Sequence, residues 1–288
     1  MHPRLISNPS LAAMLTVASA ALIFAPPRSL AQAAPNSPNG LPDIVGLYPG
    51  MPVGDAYNLL KAYFPTRGGK VDVHQETIHG LNGDKPLATK LHIPSSGQQD
   101  TYDDLIDVLI TLPPNKQAVC AVNRIISFEP GKAPSAAALT ASLRQKYGPE
   151  IHEPYETRAN PPTLRWIFDR QGKRVPDDFA RKCHQLSGGA GADSALSIFL
   201  YNPSAIQFGN VTSAPGNDPC KTFVYVEADV PSDMSGIANS LGIYIWDLGL
   251  GLNAAMRTEA VIRGVANAEA QQAQQQQRKI DKKAVPAF

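Results

Sequence analysis

The sequence predicts an α+β protein made of two tandem helix-plus-antiparallel-sheet units and a C-terminal helical tail. Three observations carry this. Two short helix-periodic stretches are each followed by strand-like segments, and a helix laid on its own strands is a natural burial unit. Proline and glycine number 26 and 22 in 288 residues, which suits short strands joined by turns. Finally, "LLKAYFP" at 59–65 echoes "SLRQKYGP" at 142–149, with Pro65 and Pro149 standing 84 positions apart.

The elements follow in order. After a flexible lead-in over 34–41, unit 1 spans 42–130. Its helix is expected over 54–63, capped by Asp55, with Tyr57, Leu60 and Tyr63 or Phe64 on the apolar face and Pro65 as the stop. "KVDVHQETIHG" and "LATKLHI" read as strands, and "LNGDKP" between them favours the positive φ of a tight turn, giving a hairpin. "SSGQQDTYDD" reads as a loop, with Asp103 and Asp104 in a solvated turn, and "LIDVLITLPP" and "VCAVNRIISFEP" as further strands. Unit 2 spans 131–252 and opens with a helix capped by Ser135, with Leu139, Leu143 and Tyr147 at i, i+4 and i+8 and Gly148-Pro149 as the stop. "TLRWIFD", "ALSIFLY", "KTFVYVEADV" and "GIYIWDL" are its strands, separated by long linkers at 188–193 and 203–219. Residues 253–288 are Ala- and Gln-rich without an apolar stripe in the last part, which predicts a helix fraying into a solvated tail.

The N-terminus points to export. Arg4, an apolar run over 11–25 and a small-x-small site at Ala31 and Ala33 make the pattern of a cleaved signal peptide over 1–33. The run is short for a membrane span, which takes about 20 residues. No cysteine follows it to carry a lipid, and no later segment is long and apolar enough to span. The expected location is the periplasm or the outside of the cell. Losing Arg4 and Arg28 with the signal leaves 24 basic against 25 acidic residues, which argues against a global pull toward nucleic acid or anionic membrane.

An exported protein keeps disulfides. Cys120, Cys183 and Cys220 allow three pairings with one thiol left over. Cys183 and Cys220 both lie at loop edges and are the favoured pair, and closing that loop of about 38 residues stabilises by roughly 4 kcal/mol in the chain-entropy model. Cys120 begins a strand and reads as a small buried hydrophobe.

"GLYPGMPVGDAYNLLKAYFP" at 46–65 asks whether a Gly-rich loop holds a ligand. A phosphate loop needs free backbone N–H groups ahead of a helix, and Pro49 and Pro52 remove two of them. Gly50 instead permits a tight turn and Met51 plugs the gap between helix and sheet. Through Gly50, Met51, Asp55, Ala56, Leu59, Leu60 and Pro65 the stretch resembles the opening motif of periplasmic domains of the beta-lactamase-inhibitor-protein-like type, shared with small outer-membrane-assembly lipoproteins. Pro52 stands where that motif usually has Ser or Thr, and the second unit lacks the Gly-Met. The resemblance implies a helix packed on a small antiparallel sheet, often in tandem, and action by protein binding. It carries no functional residue over.

Candidate chemistry is sparse. His74, Glu76 and His92 form the densest polar cluster, with the histidines facing each other across the proposed hairpin, whereas strand alternation sends His79 to the other face. A zinc site needs three or four converging ligands, so no metal and no cofactor are expected. Asp103, Asp104 and Asp107, with Glu129 later, offer paired carboxylates of the kind acid–base hydrolysis uses, against the reading of Asp103 and Asp104 as a solvated turn, and neither Gly-x-Ser-x-Gly nor Ser-x-x-Lys occurs. No catalytic residue is assigned. Trp166, Tyr201, Tyr225 and Trp246 lie in second-half strands and are the candidate binding aromatics; alternation places one set in the core and leaves the other exposed or covered by a helix. The expected function is non-catalytic binding of another envelope or secreted protein. The alternatives are an exported hydrolase with a dispersed or metal-dependent site, and an envelope-structural protein that self-associates through its tail.

Overall fold

A computed structural model describes residues 37, 40–63, 70–94, 102–129, 131–151, 163–180, 183 and 222–283. The elements are α1 (Val53–Tyr63), β1 (Asp72–Glu76), β2 (Leu87–Ile93), β3 (Tyr102–Ile110), β4 (Val119–Phe128), α2 (Ala136–Tyr147), β5 (Thr163–Phe168), β6 (Val224–Asp229), β7 (Ser240–Asp247) and α3 (Leu248–Lys283). The α+β class holds. The expected signal peptide, the strand "ALSIFLY", Tyr201 and Cys220 lie outside the described residues.

All seven strands form one antiparallel sheet in the order β1-β2-β3-β4-β7-β6-β5. The helix-then-strands order does occur twice along the chain. The last strands of the two halves, β4 and β7, lie side by side, so the halves share one sheet and one apolar core in place of two separate ones.

The register explains which face is which. Val73, Leu91, Val108, Val122, Ile245, Val226 and Trp166 are paired in one continuous row across the strands. From Leu91 to Trp166 this row is buried under Ala56 and Leu60 of α1, Leu139, Leu143 and Tyr147 of α2, and the lead-in residues Leu41, Ile44, Leu47 and Met51. One step along each strand reverses the face. The row on that other side, His74, Lys90, Leu109, Ala121, Trp246, Tyr225 and Ile167, becomes apolar from Leu109 onward. Leu248, Leu250 and Leu252 in the first turns of α3 pack against it.

α1 begins at Val53, so Asp55 lies in its first turn and not at its cap. The opening stretch is held by β4: the Gly50 N–H donates to the Val119 carbonyl at 2.8 Å, and the Val119 N–H donates to the Met51 carbonyl at 2.8 Å. Gly50 has φ 94°, a conformation glycine adopts freely, and Met51 is buried in the core. Ser135 does cap α2, its Oγ accepting from the Ala138 N–H at 3.2 Å, and Leu139, Leu143 and Tyr147 are the buried face.

Asp104 is not in a solvated turn. It lies inside β3, buried, and its carboxylate receives the Arg124 fork from β4 through Nε at 2.9 Å and a terminal nitrogen at 2.7 Å. That terminal nitrogen also donates to the Tyr63 hydroxyl at 3.2 Å. The pair is set among core residues beneath the end of α1, where the two charges have little water to share.

α3 runs for 36 residues, about 54 Å at the usual rise. It starts at Leu248, earlier than the composition suggested, and Asp247 at its start accepts the Leu250 N–H at 2.7 Å. Thr258 Oγ1 donates to the Pro113 carbonyl at 2.7 Å, and Val261 and Ile262 pack on Leu81, Leu87 and Leu112. The helix thus crosses one end of the sheet, from the β5–β6 side to the β1–β2 connection. From Ala266 to Ile280 every residue is exposed. The expected solvated tail is therefore helical through Lys283. No described helix is long and apolar enough to cross a membrane.

Candidate functional site: a polar row across the sheet

On the face opposite α1 and α2, one row beyond the one that α3 packs on, the register pairs Asp72, His92, Asp107, Asn123, Tyr244, Glu227 and Arg165 across all seven strands. Every member is polar. Asn123 is buried at 4 % exposure and the other six are partly exposed. Opposed side chains in an antiparallel sheet stand about 5 Å apart, so such a row is a chain of neighbours.

Its charges are matched. His92 Nδ1 lies 2.8 Å from Asp107 Oδ1, and the same oxygen receives Lys90 Nζ at 3.2 Å. At the far end Arg165 Nε reaches Glu227 at 3.2 Å. Tyr244 lies over Gly242: a Cβ added there would come within 3.2 Å of the Tyr244 ring and hydroxyl, so the glycine makes room for the phenol on the sheet surface. At the centre, Asn123 Oδ1 is buried without a hydrogen-bond partner among the described residues. A buried acceptor left open costs about 1–3 kcal/mol, which makes this atom the row's point of unmet demand.

The sequence-predicted polar cluster is partly assembled. The observed register sets His74 opposite Lys90 and His92 opposite Asp72, so the two histidines are diagonal and not face to face. Their rings still meet edge-on, with centroids 5.6 Å apart. Glu76 pairs with Leu87 beyond a bulge and bonds neither histidine. Among the described residues no three His, Cys, Asp or Glu side chains are arranged to hold a metal ion. Asp107 holds His92 as the orienting acid of a hydrolase would, but no described hydroxyl or thiol hydrogen-bonds the imidazole.

The aromatic expectation needs correction. Trp166 has 0 % exposure on the core face, where its Nε1–H donates to the Gly148 carbonyl at 2.8 Å and its ring meets Tyr147 at 5.3 Å. Tyr225 is buried on the opposite face, stacked on Trp246 at 5.8 Å beneath the start of α3 and the segment carrying Val175, Ala180 and Cys183. Trp246 is partly buried in the same stack. Trp166 and Tyr225 are thus core residues. The aromatic that belongs to the polar row is Tyr244, two residues before Trp246 on the same face of β7. The missing signal was register: Asp107, Asn123, Tyr244 and Arg165 become neighbours only when four strand pairings are known.

Cys120 is a free, buried thiol. Burial first, with the Asp247 charge adding to it, pushes its pKa up to about 12, so it is no nucleophile near neutrality. It borders a space of about 30 Å³ between the sheet and α3, lined also by Thr89, Ala254 and Thr258, which is room for a water or two at most. Alkylation of the native chain should leave Cys120 unmodified and alkylation after unfolding should label it. A non-reduced digest of the same sample should join Cys183 to Cys220. A peptide linked through Cys120 overturns both expectations.

Comparison with protein-family models gives no match, and comparisons with curated proteins and with solved structures give none either.

Proposed function

We propose that this is an exported, non-catalytic protein that binds another envelope or secreted protein through the polar row on the face of its sheet away from α1 and α2. The carrying observation is the row itself: seven polar side chains in register, mostly paired with one another, partly exposed, and centred on an amide oxygen without a partner among the described residues. A surface whose side chains are already held by cross-strand pairs loses little freedom when a partner arrives. Its mixture of Tyr, Arg, Asn and His suits hydrogen-bonded recognition. The signal-like N-terminus supports export, and the opening motif's resemblance supports a binding role. The Cys183–Cys220 bridge belongs to the same proposal, since it would tie down the connection between β5 and β6.

The test is a cross-linked pull-down from native envelope extract with the mature chain, the triple variant His92→Ala/Asn123→Ala/Arg165→Ala, and Lys61→Ala on the exposed side of α1 as control. The expected result is a protein captured equally by wild type and Lys61→Ala and reduced at least about tenfold by the triple variant, the loss of a few hot-spot contacts. Equal capture by the triple variant, or none by wild type, rejects the proposal.

A further inference from the structure

The turn between β1 and β2 grips α3 at the point where the helix leaves the sheet. Leu81 is buried against Val261 and Ile262. Gly80, at φ 81°, brings its backbone so near Val265 that a Cβ would lie 2.9 Å from it. Asn82, Gly83 and Asp84 all have positive φ and fold the turn back. That fold lets Asp84 Oδ1 accept the Gly80 N–H at 2.8 Å. His79 then reaches across: Nε2 lies 2.7 Å from Glu269 Oε1 on α3, and Nδ1 lies 3.3 Å from Asp84 Oδ1 on the turn.

Both ring nitrogens therefore face a carboxylate. A neutral imidazole has one N–H and one lone pair, so it satisfies one carboxylate and turns a lone pair toward the other. Only the imidazolium donates to both. We infer that His79 is an acid-tightened clasp that holds α3 to the β1–β2 turn. Asp84 on the turn and Glu269 on α3 are the titratable groups that face it among the described residues; Arg263, one turn back on α3, pairs with Glu259.

The position gives the clasp leverage. Glu269 is followed by 14 helical residues, Ala270 to Lys283, and Ala266 to Ile280 are all exposed. A helix of that length is marginal by itself, so it propagates from the docked part and frays back toward it. Releasing Glu269 leaves Val265, against Gly80, as the hold of this turn on α3 one turn earlier. The hydrogen bond that His79 donates to Glu269, then the charges of Glu269 and Asp84, hold the His79 pKa above its ordinary value. With the folded value raised, the clasp's stabilisation is fully present below about pH 6.5 and is lost as pH rises through the folded value.

The test is hydrogen exchange on the mature chain at about pH 5.5 and about pH 8, corrected for intrinsic rates, with α2 as internal reference, beside an NMR titration of His79. Protection over 266–280 should fall about two- to fivefold at the higher pH in wild type, the scale of an exposed ion pair. In His79→Gln it should be low and independent of pH. In Glu269→Gln the His79 pKa should drop. Protection that ignores pH in wild type, the same pH dependence in His79→Gln, or an unmoved His79 titration in Glu269→Gln each overturns the inference.

Discussion

Replacing Asp104 by Ala should destabilise the fold by about 3–5 kcal/mol, among the largest effects of any single change in this protein. The reason is what stays behind. Arg124 would remain buried in the core, its Nε and one terminal nitrogen stripped of the carboxylate that both now meet. Tyr63 supplies one hydroxyl at 3.2 Å and a ring face at 5.7 Å, too little to compensate a whole charge. Urea unfolding should show the midpoint falling by more than about 1 M for a chain of this size. The paired change Asp104→Leu/Arg124→Met removes both charges and should recover most of the loss, since an apolar pair of similar volume often matches a buried ion pair. A single-variant cost no greater than that of cutting the exposed Lys132–Glu129 pair, about 1 kcal/mol or less, would show the buried pair to be already hydrated.

Trp166→Ala should cost about 3–5 kcal/mol as well, by a different route. The side chain is fully enclosed between the sheet and Tyr147, so its removal leaves a cavity the size of an indole. It also leaves the Gly148 carbonyl, at the end of α2, without its donor. Trp166→Phe refills most of the volume but not the hydrogen bond, and should fall between the two at roughly 1–3 kcal/mol. The check is calorimetric unfolding of both variants, with partner capture measured at a temperature where each is folded. Capture should persist, because Trp166 lies on the face away from the polar row. Loss of capture from a folded Trp166→Phe chain would place recognition on the wrong side of the sheet.

How much of this was legible beforehand depends on the range of the interaction. Local signals read well. Ser135 three residues before Ala138 and leucines at helical spacing mark α2, and the alternation of "LATKLHI" marks β2. Signals that need a partner from elsewhere were missed or misplaced. Asp103 and Asp104 look solvated in their own neighbourhood, and only β4, a strand away, brings the arginine that buries Asp104. The diagonal offset of His74 and His92 comes from the register of the β1–β2 pairing, which no residue pattern announces. The repeated helix-then-strands order was legible, but the joining of both halves into one sheet rests on the β4–β7 pairing, which is wholly non-local. The helical tail was readable in composition; its anchoring at His79 was not, since a lone histidine next to a glycine carries no sign of a distant glutamate.

That β4–β7 pairing has a further consequence for how the chain is made and moved. Ser127 meets Ser240, and Ala121 meets Trp246, so the middle of the sheet joins residues more than a hundred positions apart. Emerging N-terminus first, the chain completes α1 and four strands while β4, with its apolar "VCAVNRIISF", still lacks one neighbour. For the time taken to deliver the next hundred or so residues, that strand is an open edge of the kind that recruits foreign strands. The central strand of the finished protein is thus the sticky end of the unfinished one, and safe delivery depends on β7 arriving before a stranger does.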